Sequence, residues 1–128
     1  MIIKRRDIAT LQEVHQFIED NFMRDIPIAA ICKEFGLNRT KLQEGFNQLF
    51  STSVHALISL KRMDKARKML RETDEPVKII AIECGYKTLS SFTRVFTRLH
   101  QKSPTRYRSL EYANEIHSEN MGAFANES

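Results

Sequence analysis

Residues that bend or break a helix are scarce in this chain of 128 residues, which has only four glycines and three prolines. No alternation of polar and apolar residues continues beyond a few positions, whereas apolar residues recur at intervals of three and four along most of the chain. The two cysteines, Cys32 and Cys84, are too few for a disulfide framework and lack zinc-ligand spacing. These features predict an all-α protein whose length allows one domain, or two very small units that share a core.

Long apolar runs are also missing. No stretch approaches the ~20 apolar residues of a membrane helix, and no apolar run follows the basic start MIIKRRD as it would in a signal peptide. We therefore expect a soluble cytoplasmic protein with no segment inside a membrane. The four histidines have no metal spacing, and no Ser/His/Asp arrangement or phosphate-binding glycine loop is present. We accordingly expect no metal, no cofactor and no enzymatic activity.

Positive charge is absent from the last twenty residues, since every lysine and arginine lies between Lys4 and Arg108. Residues 1–110 carry 20 basic against 12 acidic side chains, a net charge of +8, compared with +4 for the whole chain. A basic domain of this kind favours a polyanionic partner such as nucleic acid or an anionic membrane surface. The acidic tail, residues 111–128, is expected to be disordered.

Two short helical segments joined by a glycine turn predict a helix-turn-helix, and this unit occurs twice. The segment DIPIAAICKEFG aligns with DEPVKIIAIECG at a shift of 49 residues. Beyond the glycines the shift becomes 50, so that Phe46 meets Phe96, because the second turn has one extra residue. Between the units, VHALISLKRMDKARKMLRET has no glycine or proline. We therefore predict helix-turn-helix units at about 26–50 and 76–100, joined by one helix at about 54–72.

The segments GYKTLSSFTRVF, SPTRYR and LKRMDKARKML strongly resemble the DNA-binding domain of the AraC/XylS family of bacterial transcription regulators. The resemblance covers roughly residues 8–110 and implies a domain over residues 1–110 with two helix-turn-helix subdomains joined by a long central helix. Seven helices are implied, at approximately 8–22, 27–35, 39–50, 54–72, 77–84, 89–100 and 104–109.

The first recognition helix is expected to bury Leu42, Phe46 and Leu49. Its outward residues lie where such a helix meets base edges, and they are Arg39, Thr40, Gln43, Glu44 and Asn47. Gln43 suits adenine, Arg39 suits guanine or a phosphate, and the Thr40 methyl suits thymine. Glu44 departs from the basic residue that related proteins often carry there. Its carboxylate would either accept from a cytosine amino group or hold a neighbouring arginine.

The second recognition helix is expected to bury Phe92, Phe96 and Leu99. Its outward residues are Ser90, Ser91, Thr93, Arg94 and Thr97. The resemblance implies base contacts for Ser90 and Arg94, with Thr93 and Arg98 nearer the DNA backbone or the protein surface. Because a bidentate Arg–guanine pair contributes ~1–3 kcal/mol of discrimination, Arg94 is the strongest single candidate.

Phosphate contacts are expected from helix starts and from basic side chains around the two grooves. The segment SPTR at 103–106 combines a capping serine, a proline at the first helical position and the positive end of a helix dipole. The candidates are Lys41, Arg62, Lys87, Lys102, Ser103, Thr105 and Arg106. Each lysine is explained equally well by a solvated basic surface, and Arg62 by pairing with an acidic residue that braces the subdomains.

We therefore predict a bacterial transcription regulator that binds double-stranded DNA sequence-specifically, with two recognition helices in consecutive major-groove segments. The resemblance implies activation and contact with RNA polymerase. One chain would bind DNA as a monomer in the nucleoid, and a longer regulator would allow a dimer. The run GFNQLFSTSV favours a C-terminal part of a longer regulator over a complete small one.

Two alternatives remain open at this point. A helical protein-interaction module without DNA specificity would present outward apolar anchors. An RNA-binding protein would present exposed aromatic side chains on which bases stack. Neither feature is evident in the predicted recognition faces, which are short and polar.

Overall fold

A computed structural model describes residues 3–126, with side chains from residue 3 to residue 119. This part of the chain contains seven helices and no strand, which confirms the predicted all-α fold. The helices are α1 (Arg5–Asn21), α2 (Ile28–Phe35), α3 (Arg39–Phe50), α4 (Val54–Glu72), α5 (Val77–Glu83), α6 (Leu89–His100) and α7 (Pro104–Asn126). No helix within residues 3–126 is long and apolar enough to cross a membrane.

The helices form two compact units, Met1–Asp64 and Lys65–Ser128. The boundary falls inside α4, which therefore contributes its first part to one unit and its second part to the other. In the first unit α1, α2 and α3 contact one another, and in the second unit α6 contacts both α5 and α7. Each unit thus contains one complete helix-turn-helix.

The core of the first unit is built on the apolar stripe of α1. Leu11, Val14 and Ile18 are buried on this stripe and pack in one cluster with apolar residues of α2, α3 and the start of α4. Helices α1 and α3 approach closely at Gly45, where an added Cβ would lie 2.9 Å from Leu11 Cδ1. A side chain at this position would require Leu11 to shift, so Gly45 allows α3 to lie directly against α1.

The core of the second unit is aromatic. Phe92 and Phe96 of α6 are fully buried with ring centroids 5.7 Å apart, and the Phe96 ring also stacks on His100 at 4.1 Å. The prediction that Leu99 is buried was wrong, because its side chain is 47% exposed. The inward stripe of α6 continues at four-residue steps to His100, and this spacing turns Leu99 away from the core.

The sequence repeat is also a repeat of backbone conformation. The turns after α2 and α5 contain Gly36 (φ 65°) and Gly85 (φ 97°), whose left-handed conformation glycine adopts most readily. Helices α3 and α6 both end at a residue other than glycine in the left-handed region, Ser51 (φ 56°) and Gln101 (φ 58°). These two positions differ by 50 residues, the same shift as in the sequence repeat.

The last helix is longer than the sequence predicts. Helix α7 continues from Pro104 to Asn126 instead of ending near residue 109, so residues 111–126 are helical where we expected disorder. Between Pro104 and Gly122 the sequence contains no further proline and no glycine. No helix-breaking residue therefore interrupts this stretch once the first turn has formed. The expectation for residues 127 and 128 lies outside the described residues.

Candidate nucleic-acid interface

The first recognition face lies on α3. The Asn38 side chain caps this helix by accepting a hydrogen bond from the Lys41 backbone N–H at 2.8 Å. All five predicted base-facing residues of α3 are exposed. Gln43, Glu44 and Asn47 line one shallow groove together with Gln48, which the sequence prediction missed. Arg39 and Thr40 lie in the first turn of the same helix.

Charge on this first face is low. Glu44 forms no ion pair within residues 3–119, so the structure does not show it holding an arginine. Lys41, a predicted phosphate contact, lies with its Nζ 3.6 Å from Asp7 Oδ2 of α1. Arg39 is therefore the only cation on α3 that has no acidic partner among the described residues.

The second recognition face lies on α6 and is more basic. A groove is lined by Leu89, Ser90, Thr93, Arg94, Thr97 and Arg98. Four of these were predicted, whereas Leu89 was missed and Arg98 was expected nearer the backbone or the protein surface. Leu89 is 44% exposed. It precedes the buried Phe92 by three residues, a spacing that does not distinguish it from a core residue.

Ser91 has a different environment from the outward one predicted for it. Its side chain is half-buried, and its hydroxyl lies 2.8 Å from the Thr88 hydroxyl. The Ser91 backbone N–H also donates to Thr88 Oγ1 at 3.0 Å, so Thr88 caps α6. Ser91 is therefore part of the N-terminal cap of α6, where its hydroxyl shares a hydrogen bond with the Thr88 hydroxyl.

The predicted phosphate contacts near the second face have mixed exposure. Lys87, Thr105 and Arg106 are exposed, whereas Lys102 and Ser103 are half-buried. Ser103 Oγ accepts a hydrogen bond from the Arg106 N–H at 3.1 Å and so caps α7 as the sequence suggested. The first turn of α7 thus combines a serine cap, a proline at its first position and an exposed arginine.

Arg62, one of the predicted phosphate candidates, has hydrogen-bond partners within the first unit. Its Nε donates to the Phe22 carbonyl at 2.7 Å and its Nη2 donates to the Arg24 carbonyl at 3.0 Å. These carbonyls follow α1, where helix acceptors lack partners and the dipole is negative. Arg62 therefore braces the end of α1 within the first unit through backbone carbonyls.

Arg108 repeats this arrangement in the second unit. Its Nε donates to the Leu70 carbonyl at 3.1 Å and its Nη2 to the Thr73 carbonyl at 3.2 Å, at the end of α4. Nearby, Arg71 donates to the Tyr107 hydroxyl at 3.4 Å, and this hydrogen bond raises the pKa of its guanidinium above the ordinary value. In each unit, one arginine therefore donates hydrogen bonds to the carbonyls at the C-terminal end of a helix: Arg62 at the end of α1 and Arg108 at the end of α4.

No group of three or more His, Cys, Asp or Glu residues that could hold a metal ion occurs in the part of the chain that the structure describes. Cys32 and Cys84 are not joined in a disulfide, and they are half-buried and buried respectively.

Comparison with known proteins agrees with this arrangement. A family model described as a helix-turn-helix domain matches residues 31–109. The xylose operon regulatory protein of Escherichia coli K12 is 28% identical over 104 residues, which cover 81% of this chain and 26% of that protein. This chain thus spans about a quarter of the length of that relative.

Solved structures share the fold. The C-terminal domain of AraT, a response regulator from Geobacillus stearothermophilus, matches with a TM-score of 0.76 at 23% identity, covering 86% of this chain and 88% of that one. The DNA-binding domain of AdpA, solved in complex with a target DNA, matches with a TM-score of 0.77 at 20% identity, covering 82% and 95%. The chain belongs to the AraC/XylS family of helix-turn-helix transcription regulators.

Proposed function

We propose that this chain is the DNA-reading part of a bacterial transcription regulator and that it binds double-stranded DNA sequence-specifically. The observation that carries the proposal is a structural duplication, since each unit presents a side-chain-capped helix with a shallow groove lined mainly by polar and charged residues. The DNA complex of AdpA, which has the same fold, supports duplex DNA as the ligand. In this proposal α3 and α6 enter consecutive major-groove segments of one asymmetric site.

Base contacts follow from the chemistry of each face. Arg94 donates both guanidinium nitrogens to the O6 and N7 atoms of guanine, and Gln43 pairs with adenine. Glu44 accepts from the N4 amino group of cytosine, because it has no ion-pair partner within residues 3–119. Leu89, exposed at the start of α6, provides an apolar contact that suits the methyl group of thymine.

Phosphate contacts position the second unit on the duplex. The capped first turn of α7 places Thr105, Arg106 and the positive end of the helix dipole at one point of the surface. Lys87 and Lys102 are further candidates in the same unit. Such contacts set orientation and affinity without reading sequence.

The regulatory role is proposed by analogy with relatives that are longer than this chain. We propose activation of transcription through contact with RNA polymerase, cytoplasmic location with binding to the nucleoid, and no catalytic activity. Residues 1–110 form the DNA-binding part. A single chain suffices for binding because it carries both recognition helices, and a longer regulator that contains it would dimerise through other residues.

The test is selection of bound sequences from a pool of random duplexes, followed by affinity measurements at several salt concentrations. We expect two short motifs at a fixed separation and a steep loss of affinity as salt rises. Gln43→Ala should degrade one motif and Arg94→Ala the other. Enrichment of no motif, or equal binding of single-stranded RNA, would overturn the proposal in favour of a protein-interaction or RNA-binding function.

A further inference from the structure

Three consecutive cations lie at the start of α1, namely the N-cap residue Lys4 and the first two helical residues Arg5 and Arg6, and all three side chains are exposed. Their position is defined on both sides. Ile3 packs against the core of the first unit, and the Lys4 carbonyl accepts from the backbone N–H groups of Asp7 and Ile8 at 2.9 and 3.0 Å. The basic triplet, residues 4–6, is therefore held on the folded unit.

The triplet lies beside the start of the first recognition helix. Asp7, the next residue, has its carboxylate 3.6 Å from Lys41 Nζ in the first turn of α3, and the Asp7 side chain is only 14% exposed. One turn further along α1, Leu11 meets α3 again at Gly45. The N-terminal ends of α1 and α3 are therefore neighbours, and the triplet flanks the end of α3 that would meet base edges.

The first recognition face needs additional positive charge. Lys41 is paired with Asp7, and Glu44 adds an unpaired negative charge that phosphates repel. By contrast, the groove on α6 contains two arginines. The three cations of the triplet form no ion pair within residues 3–119, so their charge is available to an external anion.

We propose that the basic triplet Lys4-Arg5-Arg6 binds DNA backbone phosphates beside the major-groove segment read by α3. The inference rests on the proposed function and extends the interface to a helix outside both helix-turn-helix motifs. The triplet meets phosphates and not bases, so it raises affinity for every duplex equally. Its charge compensates in the first unit for the acidic Glu44.

The test compares two charge-matched variants of the full chain. One carries Lys4→Gln, Arg5→Gln and Arg6→Gln, and the control carries Lys→Gln at three exposed positions of α2, α4 and α5, namely Lys33, Lys68 and Lys78. Affinity for the selected duplex and for a random duplex is measured against salt concentration. Circular dichroism and thermal melting establish that both variants are folded.

Removal of one bound phosphate from the interface should make the slope of log K against log[salt] shallower by about 0.9, which corresponds to about eight-fold weaker binding at 0.1 M salt. For the triplet variant we expect a slope shallower by about two to three times this amount on both duplexes, with unchanged base preference. Hydroxyl-radical footprints should show weaker protection beside the motif read by α3 and full protection beside the other motif.

An unchanged salt slope, or an equal change in the control variant, would overturn the inference, as would a footprint weakened evenly over both motifs. Failure of the unmodified chain to bind any duplex would instead refute the proposed function itself. The two failures are thus distinguished by the behaviour of the unmodified chain.

Discussion

Replacing Arg94 by alanine isolates the base-reading contribution of the second unit. Arg94 is exposed and has no hydrogen-bond or ion-pair partner among the described residues, so the substitution removes no internal contact. The free energy of unfolding should therefore change by less than about 0.5 kcal/mol. Loss of a bidentate guanine contact costs ~1–3 kcal/mol, and at ~1.4 kcal/mol per tenfold this predicts binding weaker by roughly 5- to 150-fold.

The matched control is Arg98→Ala, on the same helix and also exposed in the same groove. If Arg98 contacts the backbone, its removal should weaken all duplexes uniformly and make the salt slope shallower by about 0.9. Arg94→Ala should instead leave the salt slope unchanged and remove the preference for guanine at one position of one motif. Affinity titrations on the selected duplex and on single-base variants measure both effects. Retention of that preference in Arg94→Ala would refute the assignment of Arg94.

Three further substitutions test other parts of the structure. Arg62→Leu removes two hydrogen bonds to carbonyls at the end of α1. The free energy of unfolding, measured by urea denaturation, should fall by about 1–3 kcal/mol. An unchanged midpoint would contradict the bracing role of Arg62. Thr88→Ala removes the cap of α6 and should cost about 1 kcal/mol in the same assay; a stability equal to that of the unmodified chain would count against the cap. Glu44→Gln should strengthen binding to random duplexes and abolish one cytosine preference. If competition titrations with single-base variants show that this preference is retained, Glu44 does not contact a base.

Most of the local structure was predictable because it depends on short-range rules. Pro27 and Gly36 mark the start and the end of α2, as these residue types favour in sequence, and the structure has them at the two caps of this helix. Asn38, directly before α3, accepts the backbone hydrogen bond that an asparagine side chain favours at a helix start. The apolar spacing that identified Phe46 and Phe96 as core residues is confirmed by their complete burial.

Several of the misses depend on a contact between residues distant in sequence or on how a helix is rotated. Arg62 was expected on a phosphate or on an acidic side chain, and only the fold brings the Phe22 carbonyl at the end of α1 within 2.7 Å of its Nε. Leu99 and His100 are adjacent, and only the packing against Phe96 decided which one faces the core. Likewise, the basic start of the chain had no assigned role until Asp7 was seen against Lys41.

The sequence alone determined the helical class, the duplicated unit, the helix boundaries set by caps and breakers, and the family. These properties follow from periodicity and from backbone preferences that act within a few residues. Tertiary structure decided which cations are available to a ligand, because a cation bound to an internal carbonyl or carboxylate is indistinguishable in sequence from an unpaired one. By pairing Lys41, engaging Arg62 and leaving the triplet at residues 4–6 exposed, the fold determined where positive charge is available around the first recognition helix.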